Sequence, residues 1–425
     1  NDGVHLTTKK HSWSEYPRHN EVSWLLLSWL SREQCSSWVK DELHFNAMAY
    51  AVFWHHAKPL RQEDWNTSTL LLNQHCAWVP ASSTCQALNT LLDDILSAAG
   101  ENKTPPFVAN YPSLNQPTPS FKEHYSNGTL TIEKQNTALD AEAFRTAVRA
   151  CLVGADRIVS ALTPEELKAH LESKGASLSW EDFNEDIAPL NNSIASMLDT
   201  FKLQPANHVR NEQQHHAAVQ LNLHATSVLQ GPAGCGKTKI ALEWMGFNPK
   251  QTFFFVPRVA IGSHLFNEFV DDYKLTNSIE LYSGEYKERY DPVQGCRRTS
   301  LQGEELTSSI VITTIDQLCS LGLSHHKIDL LSRVMNSNVV FDEFHELLDI
   351  AGISLLFLEF MRLRATTEGS GVRTLLMSAT PTPYLLDFFT DCENATLHPD
   401  VGFRKPLSQR VTHVPSFNTN DFVLK

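Results

Sequence analysis

Hydrophobic and polar positions follow three textures along the chain. Between residues 226 and 245, TSVLQGPAGCGKTKIALEWM reads as a short apolar strand, a glycine-rich turn and an amphipathic helix. Further apolar strands are read in FFFV (253–256), VITT (311–314), NVVF (338–341) and TLLM (374–377), most of them followed by a helical pattern, as in ELLDIAGISLLFLEFM. That βαβ spacing predicts a parallel sheet covered by helices, with ligands at the C-terminal strand ends. The first 200 residues differ: they are tryptophan-rich and helical. Between the blocks, ALTPEELKAHLESKGASLSWEDFNEDIAPLNNS is charged and polar, a linker or accessory helical segment. KTPPFVANYPSLNQPTPSFKEHYSNGTL, rich in proline and serine, reads as a long loop.

The helical block carries polar residues where apolar ones are expected. On a helix over residues 46–57, Met48, Ala51, Val52, His55 and His56 share one face, so two imidazoles continue a buried stripe. In RHNEVSWLLLSWL, His19 shares a face with Val22 and Leu26; in AFRTAVRACLVGADRIVSAL, Asp156 sits within the stripe Phe144, Val148, Leu152 and Val159. Burying that carboxylate is costly unless a cation or several hydrogen bonds compensate it. Each residue alone is equally a hydrogen-bonded core group, and Asp156 a partner for Arg157. Together, His19, His55, His56 and Asp156 suggest a common metal centre within a helical bundle.

Length changes the picture by requiring more than one core: 425 residues with 42% hydrophobic content suggest two or three domains. The longest apolar runs fall well short of about 18 residues, so no segment is expected to span a bilayer. Eight cysteines without a CxxC pair argue against a zinc site or disulfide framework and fit a cytoplasmic setting. A net charge of −13 argues against loose coating of a nucleic-acid backbone but leaves room for a local basic channel. Opening at Asn1 without methionine, the residues read as part of a longer polypeptide.

The glycine-rich turn matches G-x-x-x-x-G-K-[ST] at Gly231, Gly236, Lys237 and Thr238, with Gly234 inside it. Glycines let backbone N–H groups wrap a polyphosphate, the helix N-terminus adds a favourable dipole, a lysine bridges the terminal phosphates and a threonine holds magnesium. About a hundred residues on, Asp342 and Glu343 follow a β-branched strand. An acid there coordinates magnesium in phosphate-loop enzymes and a neighbouring glutamate polarises the attacking water. An acidic helix cap is the alternative. A further strand ends at Ser378, Ala379, Thr380 and Pro381.

In this order, GPAGCGKT, DEFH and SAT resemble the first motor domain of superfamily 2 DExH helicases, over residues 209–395. The resemblance implies ATP as cofactor and adenine reading by Arg210 with Gln213 or Gln214. It likens Pro257 and Arg258, and then Thr313, Thr314, Asp316 and Gln317, to loops that touch a single-stranded backbone. It implies that His345, Ser378 and Thr380 couple nucleotide state to that groove.

RHNEVSWLL, VFWHHAKPL and VGADRIVSAL, in that order on helices, resemble the later motifs of an HD-type metallohydrolase. HD bundle followed by DExH motor resembles the CRISPR-associated helicase-nuclease family of type I systems, most like its subtype I-F form. The expected fold is mixed: an all-α HD bundle (1–165, lacking its first His-Asp motif), linker or accessory helices (166–208), an α/β RecA-like parallel-sheet motor domain (209–395) and the start of a connection to a second motor domain (396–425). The resemblance further implies a divalent transition metal (manganese, iron, nickel or cobalt) in the bundle, single-stranded DNA as substrate, and a guide-RNA surveillance complex (Cascade) and adaptation proteins as partners. Two other readings stand beside it: an HD phosphohydrolase fused to an unrelated ATPase, and an inactive truncated binding module.

Overall fold

A computed structural model describes residues 42–55, 132–161, 188–202, 208–231, 234–284, 286–299, 305–323, 327–347, 351–366 and 371–379, with isolated positions near 20–27, 86–90 and 163–169. The chain divides into two compact units: residues 1–126, 144–179 and 324–329, and residues 127–143, 180–323 and 330–425.

The described elements of the first unit are helical: α1 (Glu42–Trp54) and the later part of α2 (Ile132–Ala161). They pack through His44 against Phe144, with ring centroids 4.7 Å apart, and through the Arg145 guanidinium 4.4 Å over the Tyr50 ring. The face of α2 that is buried runs through Arg145, Arg149, Ala150 and Val153, whereas Phe144, Val148, Leu152 and Asp156 are only partly covered. Periodicity misplaced this face because it discounts arginine, whose long apolar stem buries readily when its head finds a ring or acceptor.

The second unit is built on one eight-stranded sheet in the order β1-β8-β7-β2-β6-β3-β4-β5. Its strands are β1 (Thr226–Gln230), β2 (Thr252–Val256), β3 (Ile279–Tyr282), β4 (Lys287–Asp291), β5 (Cys296–Arg298), β6 (Ile310–Thr314), β7 (Asn338–Phe341) and β8 (Thr374–Ser378). The pairings from β1 through to β3 are parallel, as the crossover spacing requires. Strands β4 and β5 then extend the edge antiparallel, which the sequence reading did not anticipate. The tight turn after Tyr282 forces this, since a parallel return needs a crossover of a dozen residues or more.

Helices α3 (Ala188–Lys202), α4 (His208–Leu221), α5 (Lys237–Phe247), α6 (Val259–Asn267), α7 (Ile315–Leu323), α8 (Ile328–Met335) and α9 (Ala351–Thr366) accompany the sheet. Strand β2 shows how both faces are filled. Phe254 packs with Ile240, Trp244 and Phe269 on one side, while Phe255 stacks 5.0 Å from Phe341 on the other, because successive side chains alternate across a strand. Helix α3, which falls within the segment read as linker or accessory helices, contributes Leu190, Ile194 and Met197 to the α5 core. After β7 the chain makes a 3-10 turn, Phe344–Leu347, before α9, rather than entering one long helix at once.

Arg364 of α9 is fully buried and donates to the carbonyls of Val334 and Ser337, at 2.9 and 2.7 Å, and of Arg373 at 2.7 Å. It thereby pins α8 and the start of β8 to α9. Burial holds its guanidinium at about 9, well below the ordinary value.

Candidate nucleotide site

The phosphate loop is drawn tight from both ends. The Gly231 N–H donates to the Ser378 carbonyl at 3.1 Å, joining the exit of β1 to that of β8. Gly234 and Gly236 have φ of +78° and +86°, the left-handed region that glycine enters without penalty. At Gly236 a Cβ would also lie 2.3 Å from Gln214 Nε2, so a side chain there is strained by its backbone and must displace the Gln214 amide from the loop.

Helix α4 braces this loop. Arg210 Nη2 donates to the Gly234 carbonyl at 2.5 Å, and Gln214 Nε2 to the Cys235 carbonyl at 2.8 Å. Of the two adjacent glutamines, Gln214 is buried, and its oxygen accepts from Lys239 Nζ at 2.7 Å, whereas Gln213 is partly exposed. In the sequence nothing distinguishes Lys239 from a surface lysine; only the packing of α4 beside α5 gives it this partner.

Lys237 lies at the centre. Its Nζ donates to the Gly231 carbonyl at 3.2 Å and stands 3.3 Å from Glu343 Oε1. Asp342 and Glu343 leave β7 together: the Asp342 N–H donates to the Phe255 carbonyl at 2.9 Å, and Glu343 takes φ +48°. A left-handed glutamate is uncommon, and the contacts that hold it are specific. Its second oxygen accepts the Ala379 N–H at 3.0 Å and lies 3.4 Å from His345 Nδ1, which in turn lies 2.8 Å from Ser378 Oγ. Lys237, Glu343, His345 and Ser378 therefore form one continuous polar path. Ala379 takes part through its backbone, which no residue-type signal could have disclosed.

Burial and the neighbouring Glu343 charge push Asp342 up to about 6, against the opposing pull of Lys237. Two carboxylates crowded at a strand end, with the Thr238 hydroxyl carried on the first turn of α5, supply hard-oxygen donors, and these residue types fit magnesium.

The strand-end residues expected on the nucleic-acid side are mixed in exposure. Pro257 is partly exposed and the Arg258 side chain is 74% exposed, its Nη2 4.0 Å from Glu346. Thr313, Thr314 and Gln317 are buried, and Asp316 is the exposed residue of that loop. Thr380 lies outside the described residues.

Residues 211–388 match the family model described as DEAD/DEAH box helicase. This segment is similar to DEAD/DEAH box helicase domains. Its parallel-dominant sheet flanked by helices fits the RecA-like motor fold. No curated protein matches the chain. Among solved structures, crystal structures of T. fusca Cas3-AMPPNP and T. fusca Cas3-ADP align with it at 15% and 16% identity, each over 89% of this chain and 50% of that chain, with TM-scores of 0.40. The chain thus spans about half the length of the structures it matches.

In the first unit, His55 and Asp156 are described and His19 and His56 are not. His55 is buried and its Nδ1 lies 2.5 Å from the Val52 carbonyl. Among the described residues no three His, Cys, Asp or Glu side chains converge on a metal-sized site, so His55 and Asp156 do not constitute one by themselves. The described helices contain no segment long and apolar enough to cross a membrane.

Proposed function

We infer that this chain is the ATP-driven motor, joined to a metal-dependent nuclease bundle, of an enzyme that degrades single-stranded DNA in CRISPR interference. The observation that carries the motor reading is the polar path from Lys237 through Glu343 and His345 to Ser378. It links the residue that meets the terminal phosphates, through the end of β7, to the end of β8, so a change in phosphate charge at Lys237 is felt at both strand ends. In the nucleotide-bound enzyme Lys237 exchanges Glu343 for phosphate oxygens, freeing the Glu343 carboxylate to orient water for in-line attack. Asp342 and Thr238 would hold magnesium, which would supply neutralising charge to the transferring phosphoryl group. Arg210 and Gln214 keep the loop in shape and, with Gln213, are the candidates for adenine contact. Pro257, Arg258 and the loop carrying Thr313, Thr314 and Gln317 form the proposed single-strand edge.

The nuclease reading rests on the order of His19, His55, His56 and Asp156 along the chain, each at helical spacing with an apolar stripe. A transition metal held there would activate water against a phosphodiester. A cytoplasmic setting, recruitment by a guide-RNA surveillance complex and contact with adaptation proteins belong to the same proposal, supported by the joint occurrence of the two motif sets.

The deciding experiment is ATP hydrolysis by the full chain with and without single-stranded DNA, alongside Lys237→Ala. DNA-stimulated turnover that the variant lacks is expected. Turnover indifferent to DNA, or untouched by the substitution, overturns the motor reading.

A further inference from the structure

Strands β2, β6 and β3 lie side by side and parallel, so the loops leaving Val256, Thr314 and Tyr282 form a continuous row along one edge of the sheet. Arg258 stands at one end of this row and is largely exposed. In the middle, Thr313, Thr314 and Gln317 are buried. Gln317 lies beneath the turn that follows β3: a Cβ added at Gly284 would meet Gln317 Nε2 at 3.5 Å. Whatever runs along this edge past Arg258 therefore meets that turn before it meets Gln317.

The turn is rigid. Ser283 N–H and Oγ–H both donate to the Tyr286 carbonyl, at 2.8 and 2.9 Å, and the Tyr286 N–H donates back to Ser283 Oγ at 3.0 Å. Tyr286 is nevertheless 44% exposed, among the larger apolar surfaces the described residues leave in water. Its hydroxyl donates to Glu288 Oε2 at 2.5 Å, which fixes the ring by its polar end. An aromatic with its hydroxyl satisfied within the protein and its ring in solvent suits a flat, apolar ligand face better than a hydrogen-bonding one. At about 4.8 Å between neighbouring strands, β2 and β3 are about 10 Å apart. That is the length of about three stacked nucleotides at roughly 3.4 Å each.

We propose that Tyr286 is a stacking platform for a nucleobase of single-stranded nucleic acid whose backbone is held near Arg258. The proposal rests on the motor-domain reading above and adds to it a base contact that no helicase signature in the sequence pointed to. Stacking of this kind tolerates any base, because every base has a π-face.

The test is fluorescence anisotropy of the full chain with a labelled oligothymidylate and with an abasic oligonucleotide of the same length. Tyr286→Ala is expected to lose about tenfold in affinity for the oligothymidylate and to bind the abasic strand like wild type, whereas Tyr286→Phe binds both like wild type. Arg258→Ala is expected to weaken both probes alike. Should Tyr286→Ala bind the oligothymidylate like wild type while Arg258→Ala does not, the stacking role is overturned and the motor reading stands. An equal loss on both probes also overturns stacking, since it marks Tyr286 as a support of the loop. If wild type binds neither probe, the single-strand edge itself is overturned.

Discussion

Ser378 Oγ lies 2.8 Å from His345 Nδ1, and this contact joins the end of β8 to the turn after β7. The same imidazole reaches Glu343, so the acid pair and the β8 end shift together or not at all. Ser378→Ala is expected to reduce the stimulation of ATP hydrolysis by single-stranded DNA, by about tenfold, more than it reduces the rate without DNA. Steady-state rates at saturating ATP, with and without oligonucleotide, check this; an equal fall in both rates places the contact in chemistry and not in coupling.

Lys237 and Glu343 face each other at 3.3 Å, yet they serve different steps. Glu343→Gln keeps the size of the side chain and removes its capacity to take a proton, so turnover is expected to fall by about 10²-fold while nucleotide affinity changes little. Lys237→Ala is expected to lose affinity and turnover together. Fluorescent-nucleotide titration beside the hydrolysis assay separates the two patterns.

A side chain at Gly236 is strained by both the φ of +86° and the nearness of Gln214. Gly236→Ala is expected to destabilise the protein by about 1–3 kcal/mol and to abolish nucleotide binding. Adding Gln214→Ala relieves the steric part and leaves the backbone part, so the two changes are non-additive. A double-mutant cycle read by thermal unfolding measures the difference.

Two carboxylates are raised by burial: Asp342 to about 6 and Glu280 of β3 to about 7. Glu280 is fully buried and accepts the Leu306 N–H at 2.8 Å. In each case the folded state holds its proton more tightly than the unfolded chain. The associated stability is fully present below the ordinary carboxylate value and is lost as pH rises through about 6 for Asp342 and about 7 for Glu280. Without nucleotide or magnesium, the melting temperature is expected to fall between pH 5 and pH 8. Asp342→Asn is expected to shallow the lower part of that slope and to raise the melting temperature at pH 8 by a few degrees. Glu280→Gln is expected to shallow the upper part. Parallel pH–melting curves for wild type and both variants would expose an error in either assignment.

Cleavage of single-stranded DNA in added manganese or nickel tests the helical unit separately. Asp156→Asn and His55→Ala are each expected to abolish it, while Lys237→Ala leaves it in place. If both bundle variants cut like wild type, the bundle has no part in the chemistry, and His55 is a core histidine capped on Val52.

The motor half was largely readable in the sequence because its signals are local. Glycines at 231, 234 and 236, a lysine one position later, and acids or small polar residues directly after apolar strands each depend on neighbours within a few positions, and the structure brings Lys237, Asp342, Glu343 and Ser378 to one strand edge. Phase and partner were not readable. Gln213 and Gln214 are adjacent, and only the packing of α4 against the phosphate loop separates a buried brace from a partly exposed neighbour. Apolar periodicity placed the buried face of α2 on Phe144 and Asp156, whereas Arg145 and Arg149 occupy it, because a long stem with a satisfied head buries as readily as an aliphatic chain. Gln317, a contact candidate by its loop, is buried, and the Gly284 turn that lies against it arrives from another strand. Local sequence determines which backbone turns and strand ends can form. Which side chains then reach solvent, ligand or one another depends on elements distant in the chain, and only the tertiary structure decided that.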